Sequence, residues 1–208
     1  MTLSSSDIVF YYTYQATGPS NNTLSLGGTI SAYTIPDATP NNIFDDVTGD
    51  ESAIGDVEYR AIAIKDTNSS YAMLNTKVWI DGYVRAPSGY DVISFALENP
   101  GGSPASIQLI ANESTAPNPN KFTVATGQTV SWTVEGMPSA TLFFGTVQPL
   151  GWFGLWLRRS VPPNAAAFSN RSCTIKVQCE TTASPIIKVI DKTYVVKWNK
   201  DGFDVYSL

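Results

Sequence analysis

The sequence predicts an all-β fold, an antiparallel β-sandwich of immunoglobulin-like or jelly-roll topology. Short apolar runs rich in Val, Ile, Tyr, Phe and Trp recur between clusters of Gly, Pro, Asn and Ser, which is typical of strands separated by turns. No window keeps a helical period for long, and strands do not alternate with helices. With 208 residues, 43% of them hydrophobic, the chain can bury a core of its own. The pattern does not choose between the two topologies.

The strands follow from the apolar runs, taken in chain order. A short helical turn, in place of a strand, is expected at residues 42–47. The predicted strands are residues 8–14, 29–34, 58–66, 76–85, 92–97, 106–112, 122–125, 129–134, 151–160 and 172–180.

The two ends of the chain stand apart from the predicted sandwich domain of residues 26–182. Residues 1–25 hold one aromatic strand and then the loop "QATGPSNNT", which is typical of a hinge and predicts an N-terminal arm. Residues 183–208 carry a hairpin pattern, with strands at 186–190 and 193–198. Because a lone hairpin is marginal in water, this C-terminal appendage must pack on the main domain or on another chain.

The stretch "WFGLWLRRS" is apolar on both faces of a predicted strand. A sandwich strand needs only one buried face, so a loop, a terminal segment or a neighbouring subunit must cover the other. We favour a central core strand and keep a subunit interface as the alternative. The candidate interface residues, including aromatics of both ends, are Tyr11, Tyr12, Trp152, Trp156, Arg158, Arg159, Tyr194 and Trp198. A sugar-stacking role for Trp132, Trp152 and Trp156 stays open.

The sequence offers no evident catalytic set. It has no histidine, which excludes Ser-His-Asp and Cys-His arrangements and most zinc sites. Asp45, Asp46, Asp50 and Glu51 lie close together and could serve carboxylate-only glycoside chemistry or a calcium ion. Their turn-like setting favours capping and solvated loop positions instead. We therefore predict no catalytic residue, no cofactor and no metal.

The two cysteines lie in "CTIKVQC", where apolar and polar residues alternate as in a half-buried strand. Six steps of extended chain separate them by roughly 20 Å. A disulfide requires Cα atoms within about 7 Å. Cys173 and Cys179 are therefore predicted to be free thiols that point inward.

Charge and hydropathy indicate which partners to exclude. The formal net charge is -5, from 18 acidic and 13 basic residues without long runs of either sign, so no nucleic-acid partner is expected. No apolar stretch approaches the roughly 18 residues of a spanning helix, and the N-terminus lacks the pattern of a signal peptide. We expect no membrane partner, and synthesis in the cytoplasm.

Four stretches, in a fixed order, resemble tailed-bacteriophage virion structural proteins of the decoration, head-fibre and tail-component kind. They are "LSLGGTIS", "NIFDDVTGDESAIGDVEYRAIAIKDTNSS", "LNTKVWIDGYV" and "WFGLWLRRSVPPNAAA". Their order is an acidic Phe-Asp-Asp-Val turn, a Glu-Tyr-Arg strand, a Val-Trp-Ile strand and an aromatic strand that ends in Arg-Arg. The resemblance covers residues 24–182 and leaves both ends outside it.

The resemblance implies a non-enzymatic virion protein, either a capsid decoration or cement protein or a tail or collar component. Its implied partners are other virion proteins, the major capsid or tail proteins, and its implied location is the virion. Subunits of this kind usually form closed symmetric assemblies, so a homo-oligomer, a trimer or higher, is expected. The alternative is a carbohydrate- or receptor-binding β-sandwich module, which the 12% aromatic content favours.

Overall fold

The computed structural model describes residues 3–14, 21–81, 91–123, 133–134, 142–165, 168–183 and 186–200. Within them the chain is nearly all β, and its antiparallel sheets confirm the predicted all-β sandwich class. The strands are β1 (Ile8–Tyr14), β2 (Gly27–Thr34), β3 (Asp56–Asp66), β4 (Met73–Asp81), β5 (Val92–Glu98), β6 (Ser106–Leu109), β7 (Thr133–Val134), β8 (Leu142–Val147), β9 (Trp152–Val161), β10 (Phe168–Ala183) and β11 (Ile186–Lys200). Helical structure consists of α1 (Gly49–Ile54) and the 3-10 helices Ser5–Asp7 and Pro119–Lys121. None of the described helices is long and apolar enough to span a membrane.

The described strands form two sheets. The larger sheet has the order β6-β2-β1-β3-β9-β5-β7, and the smaller has the order β11-β10-β4-β8. Between them lies the main core, to which the inward residues of both sheets contribute; they include Ile8, Phe10, Ile62, Ile64, Phe95, Leu155, Val78, Ile175, Val177 and Val196. Phe144 of β8 stacks on Phe153 of β9 with ring centroids 4.6 Å apart, so the two sheets meet directly here.

The N-terminal segment is not an arm where the structure describes it. β1 lies between β2 and β3, and its residues Ile8 to Tyr12 pair with β3 from Asp66 to Ile62. Ile8, Phe10 and Tyr12 alternate inward and are buried in the main core. Alternating burial of this kind is typical of a strand within a sheet. It is a stronger indication of the structure of this segment than the hinge-like composition of the following stretch "QATGPSNNT", on which the arm was predicted.

The C-terminal segment also differs from its prediction. Residues 186–200 form one continuous strand that pairs with β10 over most of its length, so the hairpin joins β10 to β11. Asp191 and Lys192, which separate the two predicted strands, pair with Gln178 and Val177 inside the sheet. Both terminal segments thus supply strands to the sheets, while the predicted domain boundaries at residues 25/26 and 182/183 stay predictions.

The remaining elements follow the sequence with local differences. The helical turn expected at 42–47 is wrong, because the helix begins later, at Gly49, where the side chain of Thr48 accepts a hydrogen bond from the N–H of Glu51. β8 was not predicted. Phe122 follows the 3-10 helix and is not in a strand, and most of the predicted strand 129–134 lies outside the described residues. Cys173 and Cys179 are buried, as predicted, and neither forms a disulfide.

A second apolar cluster covers the outer face of the larger sheet. It contains the fully buried Trp156 of β9 and is closed by Ile107 of β6 and by Ile110 and Phe122 of the following segment. Gly154 makes this approach possible, because a Cβ there would lie 2.8 Å from Cγ2 of Ile107. The second apolar face of β9 is therefore covered by its own chain, as the core-strand interpretation requires.

Candidate functional site

Five charged side chains meet at one end of the main core. Glu58 and Arg60 project from the inner face of β3, and Arg159 projects from β9 beside them. Asp45 comes from the loop before α1, and Glu113 comes from the segment after β6. These five residues are called the ionic cluster below. Glu58 and both arginines are at most 3% exposed in their side chains, so the cluster is largely inside the fold.

Arg60 lies at the centre of the three carboxylates. Its Nη2 atom is 2.5 Å from Oε2 of Glu113, 3.4 Å from Oδ1 of Asp45 and 3.5 Å from Oε1 of Glu58. Its Nη1 atom also donates to the backbone carbonyl of Tyr59 at 3.2 Å. Since a guanidinium offers five N–H donors in a planar fork, one arginine can hold several acceptors from different segments at once.

Arg159 extends the same network from the neighbouring strand. Its Nη2 atom contacts Oε2 of Glu58 and lies 3.5 Å from Oδ1 of Asp45, and its Nη1 atom donates to the backbone carbonyl of Asp45 at 2.7 Å. The guanidinium carbon is 4.9 Å from the ring centroid of Phe44, a cation–π contact. Arg159 therefore fastens the loop around residues 44–45 to the sheet.

Burial has a large effect on the carboxyl group of Glu58. Desolvation raises the pKa of Glu58 to about 7, although the neighbouring Arg159 and Arg60 lower it. Asp45 and Glu113 lie further out, with side chains 42% and 40% exposed. The cluster thus runs from a buried carboxyl at its inner end to two half-exposed carboxylates at the surface.

The ionic cluster is poorly suited to bind a metal. Oxygen atoms of Asp45, Glu58 and Glu113 lie within 4.8 Å of one another, a spacing that a divalent cation could bridge. However, Nη2 of Arg60 lies within 3.5 Å of all three carboxylates, so the guanidinium already occupies the cationic position. The other acidic residues of the stretch, Asp46, Asp50 and Glu51, are not among the three carboxylates that lie this close together. Glu51 accepts a hydrogen bond from the N–H of Thr48 at 2.7 Å, as a helix cap.

A second buried carboxylate lies on the opposite face of the same sheet. Glu98, 4% exposed, accepts hydrogen bonds from Nε1 of Trp156 at 2.8 Å, from the backbone N–H of Gln108 at 2.7 Å and from Nε2 of Gln108 at 2.8 Å. These three donors are neutral. They fix the indole of Trp156 under β6 and join β5, β6 and β9 on the outer face.

The predicted interface residues lie in different environments. Trp156 and Arg159 are 0% and 1% exposed inside their own chain, which corrects their assignment to a subunit interface. Tyr12 is also buried, and its hydroxyl donates to the carbonyl of Asn42 at 2.8 Å. The remaining described side chains, Tyr11, Trp152 and Arg158, are half-buried.

The other predicted positions are two aromatic residues of β11 and the tryptophans considered for sugar stacking. Tyr194 and Trp198 lie on β11 opposite Ile175 and Arg171, and only their backbone is described. The buried indole of Trp156 presents no face for a sugar, which corrects its stacking role, and Trp132 lies outside the described residues.

Four residues of the buried polar groups were not predicted from the sequence: Glu58, Arg60, Glu98 and Glu113. A signal existed for the first two, because Glu58 and Arg60 alternate with the inward positions Ile62 and Ile64 of one strand. Charges on the apolar face of a strand must find partners. For Glu113, in a polar loop, no comparable signal exists.

Comparisons with known proteins leave the family open. No protein-family model and no curated protein matches the sequence. Among solved structures, a family 123 glycoside hydrolase from Clostridium perfringens matches with TM-score 0.33 and 17% identity over 76% of this chain. This chain spans 23% of the length of that hydrolase.

Two further solved structures show similar values. The PapD-like domain 7 of human CEP192 matches with TM-score 0.32 and 6% identity, over 74% of this chain and 78% of that one. AvmM, which catalyses macrocyclization in alchivemycin A biosynthesis, matches with TM-score 0.34 and 4% identity, over 77% and 87%. Likenesses at this level assign no function to this chain.

Proposed function

We propose that the protein is a non-enzymatic structural subunit of a tailed-bacteriophage virion, either a capsid decoration or cement protein or a tail or collar component. One observation carries the proposal. Two of the four stretches that resemble those virion proteins supply four of the five residues of the ionic cluster, and Glu113 comes from outside them. The Phe-Asp-Asp-Val turn supplies Phe44 and Asp45, the Glu-Tyr-Arg strand supplies Glu58 and Arg60, and the Arg-Arg strand end supplies Arg159.

The geometry of the cluster supports a structural role for these motifs. Each guanidinium contacts two or more carboxylates, so the arginines hold these carboxylates in ion pairs and occupy the position that a metal ion would take. Removing one partner of a buried ion pair costs about 3–5 kcal/mol, because the other charge is left without compensation. The cluster therefore ties two loops to β3 and β9 in one arrangement.

The proposed partners are other copies of this chain and the major capsid or tail proteins, in a trimer or higher oligomer within the virion. The resemblance to virion proteins supports these partners. The oligomeric state is supported by the general tendency of identical subunits to form closed symmetric assemblies. The contacts must lie outside Trp156 and Arg159, since these are buried in the monomer. Tyr11, Trp152 and Arg158 keep partly exposed side chains that a partner could cover.

The proposal is tested on intact particles. Particles from a culture that carries this gene are purified through two successive density gradients, and the chain is quantified against the major capsid protein by mass spectrometry. A constant copy ratio across the particle peak, with the chain located in an electron-microscopy map of the same particles, is the expected result. Recovery of the chain only in the particle-free fractions would overturn the proposal. The matched control is a gradient of purified chain alone, which must not sediment with the particle peak.

A second candidate function is a carbohydrate- or receptor-binding module. It is favoured by a polar cleft that opens beside Glu98, where a small ligand could reach polar groups on a rigid part of the sheet. Trp156 cannot contribute a stacking face to it, because its indole is fully buried.

A further inference from the structure

A cleft of about 340 Å³ opens on the outer side of the larger sheet, at the end of β5. Its polar lining comes from Glu98 and Asn99 of the β5 end, Ser106 and Gln108 of β6, and Lys121 of the 3-10 helix Pro119–Lys121. Its volume is at the lower end of the range of about 300–1,000 Å³ that is usual for small-molecule sites.

The walls of the cleft are fixed by hydrogen bonds. On one side, Gly101 and Ser106 exchange two backbone hydrogen bonds of 2.9 Å, which close the turn after β5. On the other side, the amide of Gln108 donates to the carbonyl of Asn118 at 3.3 Å and accepts from its N–H at 2.6 Å. Because both walls are tied to strands, the cleft is preorganised for a ligand.

The polar groups of the cleft determine which chemistry it can recognise. Glu98 uses three of the roughly four acceptor positions of a carboxylate on Trp156 and Gln108, so about one acceptor position is left. Lys121 adds a positive charge, which balances the charge of Glu98. Asn99 and Ser106 can each donate and accept. A ligand without net charge that carries several groups able both to donate and to accept hydrogen bonds matches this mixture of polar groups.

We propose that this cleft binds a small neutral polyhydroxylated ligand, a monosaccharide or the terminal sugar of a glycan. The hydroxyl groups of a sugar match the mixed donors and acceptors of the walls, and Ile107 supplies a small apolar contact for the ring carbons. Because the cleft is small and none of the described residues that line it is aromatic, we expect weak binding, with a Kd of about 1 mM. The cleft is independent of the virion role, so either proposal can fail alone.

The experiment is a titration of the 15N-labelled full-length chain, followed by NMR. The probes are glucose, galactose, mannose and N-acetylglucosamine, with glycine as a zwitterionic probe and sodium phosphate as an anionic one. At least one sugar is expected to shift the amide signals of Glu98, Asn99, Gln108 and Lys121 in a saturable way. If no sugar shifts these signals, or if only glycine or phosphate does so, the proposal is overturned.

Two substitutions at the rim of the cleft then locate the bound sugar. Lys121→Met and Ser106→Ala each remove one hydrogen-bonding group and leave the buried network of Glu98 intact, so each should weaken binding by about tenfold. Lys192→Met is the matched control, because Lys192 lies on β11 in the other sheet. Equal affinity of Lys121→Met, Ser106→Ala and the control would contradict the placement. The backbone spectrum of each variant shows whether it is folded.

Discussion

The two buried glutamates of the larger sheet, Glu58 and Glu98, offer a direct comparison. Both are less than 5% exposed, and they lie on opposite faces of the sheet. Glu58 is held by the guanidinium groups of Arg60 and Arg159. Glu98 is held by neutral N–H donors of Trp156 and Gln108. One sheet therefore keeps two carboxylates inside by two different means.

The difference shows what each arrangement requires of its surroundings. An ion pair needs the charge balance of several segments, since the loss of one charge leaves another buried and uncompensated. Neutral donors do not compensate the negative charge of the carboxylate. Each hydrogen bond to a charged acceptor nevertheless contributes about 1.5–3 kcal/mol to the free energy of unfolding. The ionic cluster should therefore be the more sensitive region, and the network of Glu98 the less sensitive one.

The largest expected effect is that of Arg159→Met, which removes one of the two cations of the ionic cluster. The carboxylates of Glu58 and Asp45 lose one of the two guanidinium groups that they share, so the free energy of unfolding should fall by about 3–5 kcal/mol. Urea denaturation at pH 8 measures the change. Arg158→Met, one position along on the opposite face, is the control and should cost less than about 1 kcal/mol. Equal losses in both variants would show that the burial of Arg159 does not matter.

The next effect tests the neutral network. Trp156→Phe removes the N–H donor of Glu98 and part of a buried ring, and the expected loss is about 3 kcal/mol. Trp152→Phe provides the matched control, because Trp152 lies on the same strand and face but is only half-buried. Thermal unfolding of both variants compares them. If the two substitutions cost the same, the bond to Glu98 contributes nothing.

A smaller effect is expected where β6 approaches β9. Gly154→Ala places a methyl group 2.8 Å from Cγ2 and 2.9 Å from Cδ1 of Ile107, so the side chain of Ile107 on β6 must shift. Such overpacking costs about 2 kcal/mol. Gly101→Ala is the control, since a Cβ at Gly101 meets nothing within 4 Å. A fully stable Gly154→Ala variant would mean that β6 is not held tightly against the sheet.

The smallest effect concerns a third buried carboxyl group, that of Asp66. It has neither the guanidinium partners of Glu58 nor the three N–H donors of Glu98. Its Oδ1 accepts the N–H of Asn68 at 2.8 Å, while its Oδ2 has no hydrogen-bond partner in the part of the chain that the structure describes. Burial raises the pKa of Asp66 from 3.8 to about 6, and the nearby charge of Asp7 adds to this. The folded chain therefore holds this proton more tightly than the unfolded chain does.

The sign of the pH dependence follows from the raised pKa. The stability that Asp66 contributes is greatest below its unfolded pKa of 3.8 and is lost as the pH rises through about 6. Relative to the wild type, Asp66→Asn should gain on the order of 1 kcal/mol between pH 4 and pH 7, because it cannot ionise. The difference between the two urea-denaturation curves separates Asp66 from Glu58. A constant difference across this range would contradict the raised pKa.

Much of the fold could be predicted from the sequence, because strands with strict alternation carry their own signal. β1 and β5 lie close to their predicted limits, and the second face of β9 is buried as a core strand requires. The continuous strand at the C-terminus could not be recognised locally. Asp191 and Lys192 are stabilised there by pairing with β10, which is a tertiary effect.

The candidate site was predicted less well, because its residues are far apart in the sequence. Asp45 and Arg159 were singled out, but as a possible calcium ligand and as an interface residue. Their contact depends on how β3 and β9 pair and on where the loop of residues 41–47 folds. Glu113 enters from a polar loop whose composition is that of any solvated segment.

The central claim is that the charged motifs build an ion pair that holds the fold, and a double-mutant cycle between Glu58 and Arg159 tests it most directly. Glu58→Gln, Arg159→Met and the double variant are compared with the wild type by urea denaturation at pH 8, where Glu58, with its pKa of about 7, is mostly ionised. We expect a coupling energy of at least about 2 kcal/mol, with the double variant more stable than the two single losses together would allow. Additive losses, with a coupling below about 0.5 kcal/mol, would contradict the claim.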